Sequence, residues 1–555
     1  MTDWNFADVL ETCAAVRGGS HPALVNGGRR TSWQGFDARA ASLATTFLQA
    51  GLGHQAKVAQ YLYNSNEYLE SVFAAFKAGM VPVNTNYRYG DGELAYLWDN
   101  ADVEAVVFHG AFSERVERLR RRLPGVRLWL HVDDGTGERP SFAEPYESAA
   151  CLRLEGGRSP VRGPWGTSGD DLYLLYTGGT TGRPKGVMWR QDDLFAILNE
   201  GNIVKVDESK GLRGVRELAE SFSSSPPVLL PACPLMHGTG SFTAFSCLVL
   251  GGTVVTMGGP SFDAAGVLRA VESERVNVLS IVGDAFARPL LGALEVGRYD
   301  LSSLVSVISS GAMWSEEAKR GLLSHAPHLA LVDVFSSSEA LGMGSSISGS
   351  GTEARTGRFR RGELATVVDE KGNELPPGSP MPGRLAVSGR IPLGYHKDEE
   401  LTRRTFPVVG GQRLSVPGDY AMIDPDGSIR LLGRGSVVIN TGGEKVFPEE
   451  VEEVLKTHPA VADAACVGVP DERMGEAVAA VVEARRGLPV FEEELVAHVR
   501  AHLAGYKAPR FVLLVDSIGR SPTGKLDYTG LRQRAAEAAA EVVRGDSPRS
   551  AGRSR

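Results

Sequence analysis

Apolar residues recur at helical spacing from Phe36 to Leu52, with Phe36, Ala40, Leu43, Phe47 and Leu48 on one side, and this predicts an amphipathic helix. The run Val58 to Leu62 predicts a short strand, Glu67 to Ala78 a second helix, and Val81 to Asn84 another apolar segment. Val103 to Phe108 reads as a buried strand, and Val126 to Val132 follows a basic helix. Helix and strand patterns alternating in this way predict a layered α/β domain with mostly parallel strands. Between Glu155 and Gly169 the chain turns to Gly, Ser, Pro and Arg, which predicts a loop before a new strand.

A second α/β block runs from Leu172 to about Ile347, with strands predicted at Val254 to Thr256, Val278 to Val282, Val305 to Ser309 and Leu331 to Phe335. Each ends in a polar or glycine-rich turn. Ligands of open α/β sheets lie beyond the carboxyl ends of strands, so the turns after Tyr176, Ser309 and Phe335 are candidates to meet in one crevice. From Leu364 to Leu432 short strands separated by Gly, Pro and Asp predict a β-rich subdomain. Beyond a glycine-punctuated loop at Gly433 to Gly443, a compact α+β pattern begins. It has a helix from Pro448, strands around Ala464 and Val478, a helix from Glu492 and a strand at Phe511 to Val515.

The predicted fold class is therefore α/β. A large N-terminal domain (1–435) comprises two α/β sheet subdomains and the β-rich part; a small α+β C-terminal domain (436–543) follows. The Ser/Arg/Gly-rich residues 544–555 read as a disordered tail. A chain of 555 residues exceeds what one core supports, about 250–300 residues, in keeping with several subdomains.

Charge and cysteine usage narrow the function classes. A net charge of −8 supplies no basic stripe for nucleic acid. Five scattered cysteines, Cys13, Cys151, Cys233, Cys247 and Cys466, form no CxxC pair, so reduced thiols are expected. The acidic, polar start Met1-Thr-Asp-Trp-Asn5 does not read as a secretory signal. No apolar run is long enough to span a bilayer. A cytoplasmic protein without transmembrane segments is expected, with peripheral membrane contact left open.

The sharpest local signal is Tyr176-Thr-Gly-Gly-Thr-Thr-Gly-Arg-Pro-Lys-Gly-Val187, after the apolar strand Leu172 to Leu175. Glycines let backbone N–H groups approach anionic oxygens, hydroxyls add donors, and Lys185 adds a charge. The spacing is not that of a Walker loop, because Gly178 and Gly182 lie too close and Pro184 precedes the lysine. Further along come Pro234-Leu-Met-His237-Gly-Thr-Gly240, Ser310-Gly311-Ala312, Asp333-Val-Phe-Ser-Ser-Ser-Glu339, Gly418-Asp419-Tyr420, Gly433-Arg434-Gly-Ser436, Gly442-Gly443-Glu-Lys-Val-Phe-Pro448 and Ser521-Pro-Thr-Gly-Lys525. Singly, each has a plain structural reading. Ser336-Ser-Ser-Glu339 reads as a helix start with a serine cap, Asp419 as a turn residue, His237 as a structural loop histidine and Lys525 as a solvated surface lysine.

In this order, over nearly the whole chain, the segments resemble the adenylate-forming superfamily: acyl-CoA synthetases, firefly luciferase and nonribosomal peptide adenylation domains. The resemblance implies that Thr177, Gly178, Gly179, Thr180, Thr181, Gly182 and Lys185 cradle the phosphates of ATP. It places Ser310, Gly311 and Ala312 at the adenine, with Asp333 accepting from its amino group and Phe335 stacking nearby. Ser336, Ser337 and Ser338 would line the phosphate, while Glu339 and Thr180 would hold Mg2+. Asp419 and Arg434 would meet the ribose, and His237 would stand beside the acyl carboxylate. Ser436 marks the hinge of a mobile C-terminal domain, the Gly442–Gly443 loop would complete the thiol tunnel, and Lys525 is the catalytic lysine. The chain departs from the family pattern at Ser336 and Ser338, usually Gly and Thr, and at Ser436, usually Asp or Lys.

The activity implied is an ATP-dependent carboxylate–CoA ligase: an acyl adenylate forms first, then a thioester with coenzyme A. The candidate catalytic set is Thr180, Lys185, His237, Glu339 and Lys525. Nonribosomal peptide adenylation domains usually place an Asp here to pair with an amino group; none lies in Met236 to Phe245, so the resemblance favours a small-molecule acid without an α-amino group. Within the superfamily, Ser280-Ile-Val-Gly-Asp-Ala-Phe-Ala-Arg-Pro-Leu290 and Arg404-Thr-Phe-Pro-Val408 look like actinobacterial enzymes of steroid side-chain and fatty-acid metabolism. A carrier-protein thiol as acceptor, nitrite as the activated oxyanion in secondary metabolism, and a homodimer stay open. A dead nucleotide-binding scaffold is disfavoured, because Lys185, Glu339, Asp419 and Lys525 are all present.

Overall fold

A computed structural model describes residues 3–152, 161–177, 183–312, 314–349, 356–434, 437–441, 444–471, 474–520 and 526–544. The chain packs as two units. Residues up to Thr356, with 361–365 and 386–417, make the first; 357–360, 366–385 and the residues from Gly418 onward make the second.

The first unit is built on two sheets. One includes, in order, Ala340–Ser348, Ala330–Ser337, Ser306–Ser310, Val278–Ile281, Val228–Pro231, Thr253–Thr256, Pro22–Asn26 and Arg29–Ser32. Its central strands pair in parallel, as in Ser309 opposite Asp333. The other sheet runs Gly394–Tyr395, Lys185–Arg190, Leu172–Thr177, Val81–Asn84, Lys57–Tyr61, Val103–His109, Leu128–Val132 and Glu144–Pro145. The alternation seen in sequence is thus mostly parallel sheet with helical crossovers.

The helix Asn66–Lys77 is buried along its entire length and packs against strands of both sheets. It therefore has no polar face, and its charges are neutralised inside: Glu70 accepts from Arg39 at 2.9 Å and from the Tyr146 hydroxyl at 2.8 Å, and Lys77 pairs with Asp37 at 2.7 Å and with Glu11. The first predicted helix spans Trp33–Gln49, starting earlier than its apolar period because the Ser32 hydroxyl caps the Gly35 amide. Phe36, Ala40, Leu43 and Phe47 are buried, whereas Leu48 is half-buried.

Two local expectations change. Ser336 to Glu339 is not a helix start: the strand Ala330–Ser337 reverses through Ser338 and Glu339 into Ala340–Ser348, and the Ser337 hydroxyl accepts from the Ala340 amide at 3.1 Å. Serine caps this turn instead of a helix because β pairing claims the preceding backbone. Within the segment read as all short strands lies a helix, Glu399–Thr405, capped by Asp398 through the Leu401 amide at 2.9 Å.

The second unit holds a small antiparallel sheet, with Asp419–Ile423 paired to Ile429–Arg434. It also holds an α+β layer with strands Val461–Asp471, Gly475–Ala484 and Phe511–Val515. Both faces of that layer are covered. Cys466, Ala480 and Val482 pack with Val451, Leu455 and Val499 of the helices Pro448–Lys456 and Glu492–His502. Val467, Ala479 and Val481 pack with Leu531, Ala535 and Ala539 of Tyr528–Arg544. That last helix leaves little apolar periodicity in the sequence because its buried stripe is largely alanine.

Arg520 locks this layer with a two-nitrogen grip on Asp463, through Nε at 2.5 Å and Nη2 at 3.0 Å. Burial pushes the Asp463 carboxyl up, but Arg520 and Lys456 together outweigh burial and hold it below its usual 3.8. Substituting Arg520→Met is expected to cost about 2 kcal/mol, less than a fully buried broken pair because Lys456 remains. The stabilisation is full above the unfolded Asp value and is lost as pH falls through the lowered folded value. The melting temperatures of the two proteins should therefore differ more at pH 7 than at pH 3.

Candidate active site

The strand ends of the first unit meet through a few side chains. Asn84, buried at the carboxyl end of Val81–Asn84, accepts from the Tyr176 amide at 2.5 Å through its carbonyl. Its amide nitrogen donates to Tyr176 O at 2.8 Å and to Met236 O at 2.6 Å. One amide side chain thus ties the strand entering the Gly/Thr loop to the segment bearing His237. Asn64 anchors the other side of that segment, donating to Pro231 O and Cys233 O and accepting from the Leu235 amide. Neither asparagine was singled out from sequence; the only local signal was a polar residue closing an apolar strand.

His237 is the N-cap residue of the helix Gly238–Val249. Gly240 must lack a Cβ, because one would collide with Pro234 O. The next residue out, Thr239, donates through its hydroxyl to Ser310 O at 3.3 Å, so the His237 segment reaches the Ser310-Gly311-Ala312 turn. Gly311 has φ +89, a left-handed conformation that suits glycine.

Thr177 lies opposite Lys185 in the register of the antiparallel pair Leu172–Thr177 and Lys185–Arg190. Gly178, Gly179, Thr180, Thr181 and Gly182, the residues between, lie outside the described residues. Beside this pair runs Gly394–Tyr395, with Tyr395 opposite Val187. The Lys185 ammonium sits 6.0 Å from the centre of the Tyr395 ring, and the Tyr395 hydroxyl donates to Glu339 Oε1 at 2.8 Å. The Ser415 hydroxyl donates to Glu339 O at 2.6 Å and Trp189 Nε1 to Ser338 O at 3.0 Å. The hairpin turn with Ser336, Ser337, Ser338 and Glu339 is thereby held against the strand that begins at Lys185. Tyr395 is a third residue missed in sequence.

Asp333 is buried on Ala330–Ser337, two residues before Phe335. Its Oδ2 accepts from Lys319 Nζ at 2.8 Å. Burial pushes the Asp333 carboxyl above its usual value, Asp284 adds to that, and Lys319 opposes both.

In the second unit, Asp419 is buried and stands opposite Arg434 in the sheet register, beside a Gly418 with φ +103. Ser436, Gly442, Gly443 and Lys525 lie outside the described residues.

Among the described residues, no three His, Cys, Asp or Glu side chains gather as a metal cluster. A lone carboxylate held by a hydroxyl, as at Glu339, suits a hard cation bound chiefly by substrate phosphates, so the donor set fits Mg2+. Thiol chemistry has no candidate among the buried cysteines: burial pushes Cys13, Cys233 and Cys247 up to about 12 and Cys466 well above its usual value. All five cysteines are free. No helix among the described residues is long and apolar enough to cross a membrane.

Comparison with known proteins identifies the family. Residues 10–396 match the AMP-binding enzyme family and residues 450–525 the AMP-binding enzyme C-terminal domain. A 3-oxocholest-4-en-26-oate–CoA ligase of Rhodococcus rhodochrous is 41% identical over 542 residues, 95% of this chain and 96% of the relative. A medium/long-chain-fatty-acid–CoA/3-oxocholest-4-en-26-oate–CoA ligase of Mycolicibacterium smegmatis is 41% identical over 529 residues, 94% and 95% of the two chains. The fold is also that of the anthranilate CoA ligase AuaEII in complex with anthranoyl-AMP, with TM-score 0.81 and 21% identity over 97% of this chain and 99% of that one. The chain belongs to the AMP-binding enzyme family. Its activity is that of an AMP-forming acid–thiol ligase, a carboxylate–CoA ligase driven by ATP.

Proposed function

We propose that the acid is a bulky or long apolar carboxylate, a steroid side-chain acid or a medium- to long-chain fatty acid. The observation that carries this is the 41% identity, along almost the full chain, to ligases named for those acids. The surroundings of the His237 segment support it: a Cβ at Gly238 would touch Leu175 and Phe242, and no carboxylate from Met236 to Phe245 is available to pair an α-amino group.

In this reading the acid carboxylate oxygen attacks the α-phosphorus of ATP and pyrophosphate leaves. The coenzyme A thiol then loses its proton and attacks the acyl carbonyl, and AMP leaves. Thr177, Lys185 and the 178–182 loop take the phosphates; Ser310 to Ala312, Asp333 and Phe335 take the base; Asp419 and Arg434 take the ribose; His237 faces the acid. Glu339 and Thr180 would hold Mg2+, which neutralises phosphate charge when bound. Lys525 serves the first step and the Gly442–Gly443 loop the second, with Ser436 as hinge. The protein's contribution is positioning and fixed charge. Five free thiols suit a reducing compartment, and we place the reaction in the cytoplasm.

The test is incubation with ATP, Mg2+ and a panel of steroid, fatty, aryl and amino acids, with and without coenzyme A, read by mass spectrometry. Acyl-CoA from the steroid or fatty acids is the expected product. Turnover confined to aryl or amino acids would refute the substrate class. AMP without any acyl-CoA would point to a carrier-protein thiol, or to nitrite if nitrite with an aminoaryl acid triggers it.

A further inference from the structure

Lys319 is fully buried, yet it belongs to none of the motifs that suggest the activity. It lies on the helix Glu316–His325, its ammonium 2.8 Å from Asp333 Oδ2 and 5.5 Å from the centre of the buried Trp314 ring. An ammonium without water is retained only where a carboxylate and good geometry repay its desolvation.

The charged surroundings of Asp333 come from two helices. From Glu316–His325 comes Lys319. From Asp284–Val296 comes Asp284, which accepts from the Ser315 amide at 2.9 Å and from Arg288 Nε at 3.1 Å; Arg288 in turn meets Glu317 at 3.1 Å. Asp284 is thus answered by Arg288, and Lys319 is the cation in hydrogen-bond contact with Asp333. Lys319 engages Oδ2, and no hydrogen bond from the described residues reaches Oδ1, the oxygen this reading assigns to the ligand.

We propose that Lys319 is a positioning residue that keeps Asp333 a carboxylate, aimed as an acceptor, and so gives the site its preference for a 6-amino purine. The inference rests on the reading of Asp333 as the partner of the adenine amino group. A carboxylate can only accept a hydrogen bond, which suits the amino group of ATP. A protonated carboxyl can donate, which suits the 6-oxo group of ITP. Burial and Asp284 both favour the protonated form, and Lys319 opposes them.

The experiment measures kcat and KM for ATP and for ITP, from pH 5 to 9, in the full-length protein and in Lys319→Met and Lys319→Gln. Gln keeps a donor of similar reach but removes the charge, so it serves even where the Met variant folds poorly. Both variants are expected to lose about tenfold or more in kcat/KM for ATP, mostly through KM, with a smaller loss for ITP, so that the ATP/ITP ratio collapses. The acid limb of the ATP profile should move up by about one pH unit or more. KM for the acid and for coenzyme A should stay within about twofold, and Lys319→Arg should restore most of the ratio. A purely structural ion pair would lower the melting temperature without moving the ratio or the acid limb, and that result overturns the inference. Asp333→Asn separates the two levels. If it leaves the ATP/ITP ratio intact in an active ligase, the reading of Asp333 fails. If it collapses the ratio while the Lys319 variants do not, only the role of Lys319 fails.

Discussion

Lys525→Ala is expected to slow acyl-adenylate formation by about 10²–10³-fold, the loss typical of one preorganised group facing developing charge. Thioester formation from supplied acyl adenylate should change by no more than a few-fold. The asymmetry follows from the role assigned to the ammonium, which neutralises charge between the entering carboxylate and the α-phosphate and has no part when the thiol attacks. Pyrophosphate exchange reports the first half-reaction, and acyl-CoA release from synthetic adenylate reports the second. Equal losses in both would contradict the assignment. A loss in the second alone would transfer Lys525 to the thiolation step.

The second large effect is expected at Asn84, a residue that touches no substrate in the proposed reaction. Asn84→Ala removes three buried hydrogen bonds, to Tyr176 N, Tyr176 O and Met236 O. Leaving those backbone groups unanswered should cost about 2–4 kcal/mol of stability in the first unit. Because the bonds join the strand entering the Gly/Thr loop to the His237 segment, adenylation should also fall by about a hundredfold, the effect of an ångström-scale misplacement of reacting groups. Asn84→Asp should be worse than Ala: it keeps the acceptor for Tyr176 N but sets a carboxylate oxygen against two carbonyls. Melting curves and kcat/KM for the acid, measured on all three proteins, check the order parent, Ala, Asp. An Ala variant of parental activity would remove Asn84 from the site.

The regular elements were legible because their physics is local. The strand Phe511–Val515 coincides with its apolar run, and Pro448 opens its helix where proline's fixed φ is tolerated. The helix Tyr528–Arg544 was not legible, since alanines at four-residue spacing give a faint apolar period. The Ser336–Glu339 segment misled when read alone: serines suit a helix cap and a hairpin turn equally, and only pairing of Ala330–Ser337 with Ala340–Ser348 decides between them.

The sequence by itself determined the α/β class and the order of the motifs, and that order, through its resemblance to a known family, carried the activity. Tertiary structure alone decided how the first unit's parts are held. Asn84 reaches Tyr176 across 92 positions and Met236 across 152, Tyr395 reaches Glu339 across 56, and Lys319 meets Asp333 from a neighbouring helix. Such partners leave no local trace, because a hydrogen bond between distant segments depends on where the sheets bring strand ends together, and period and propensity describe only neighbours along the chain.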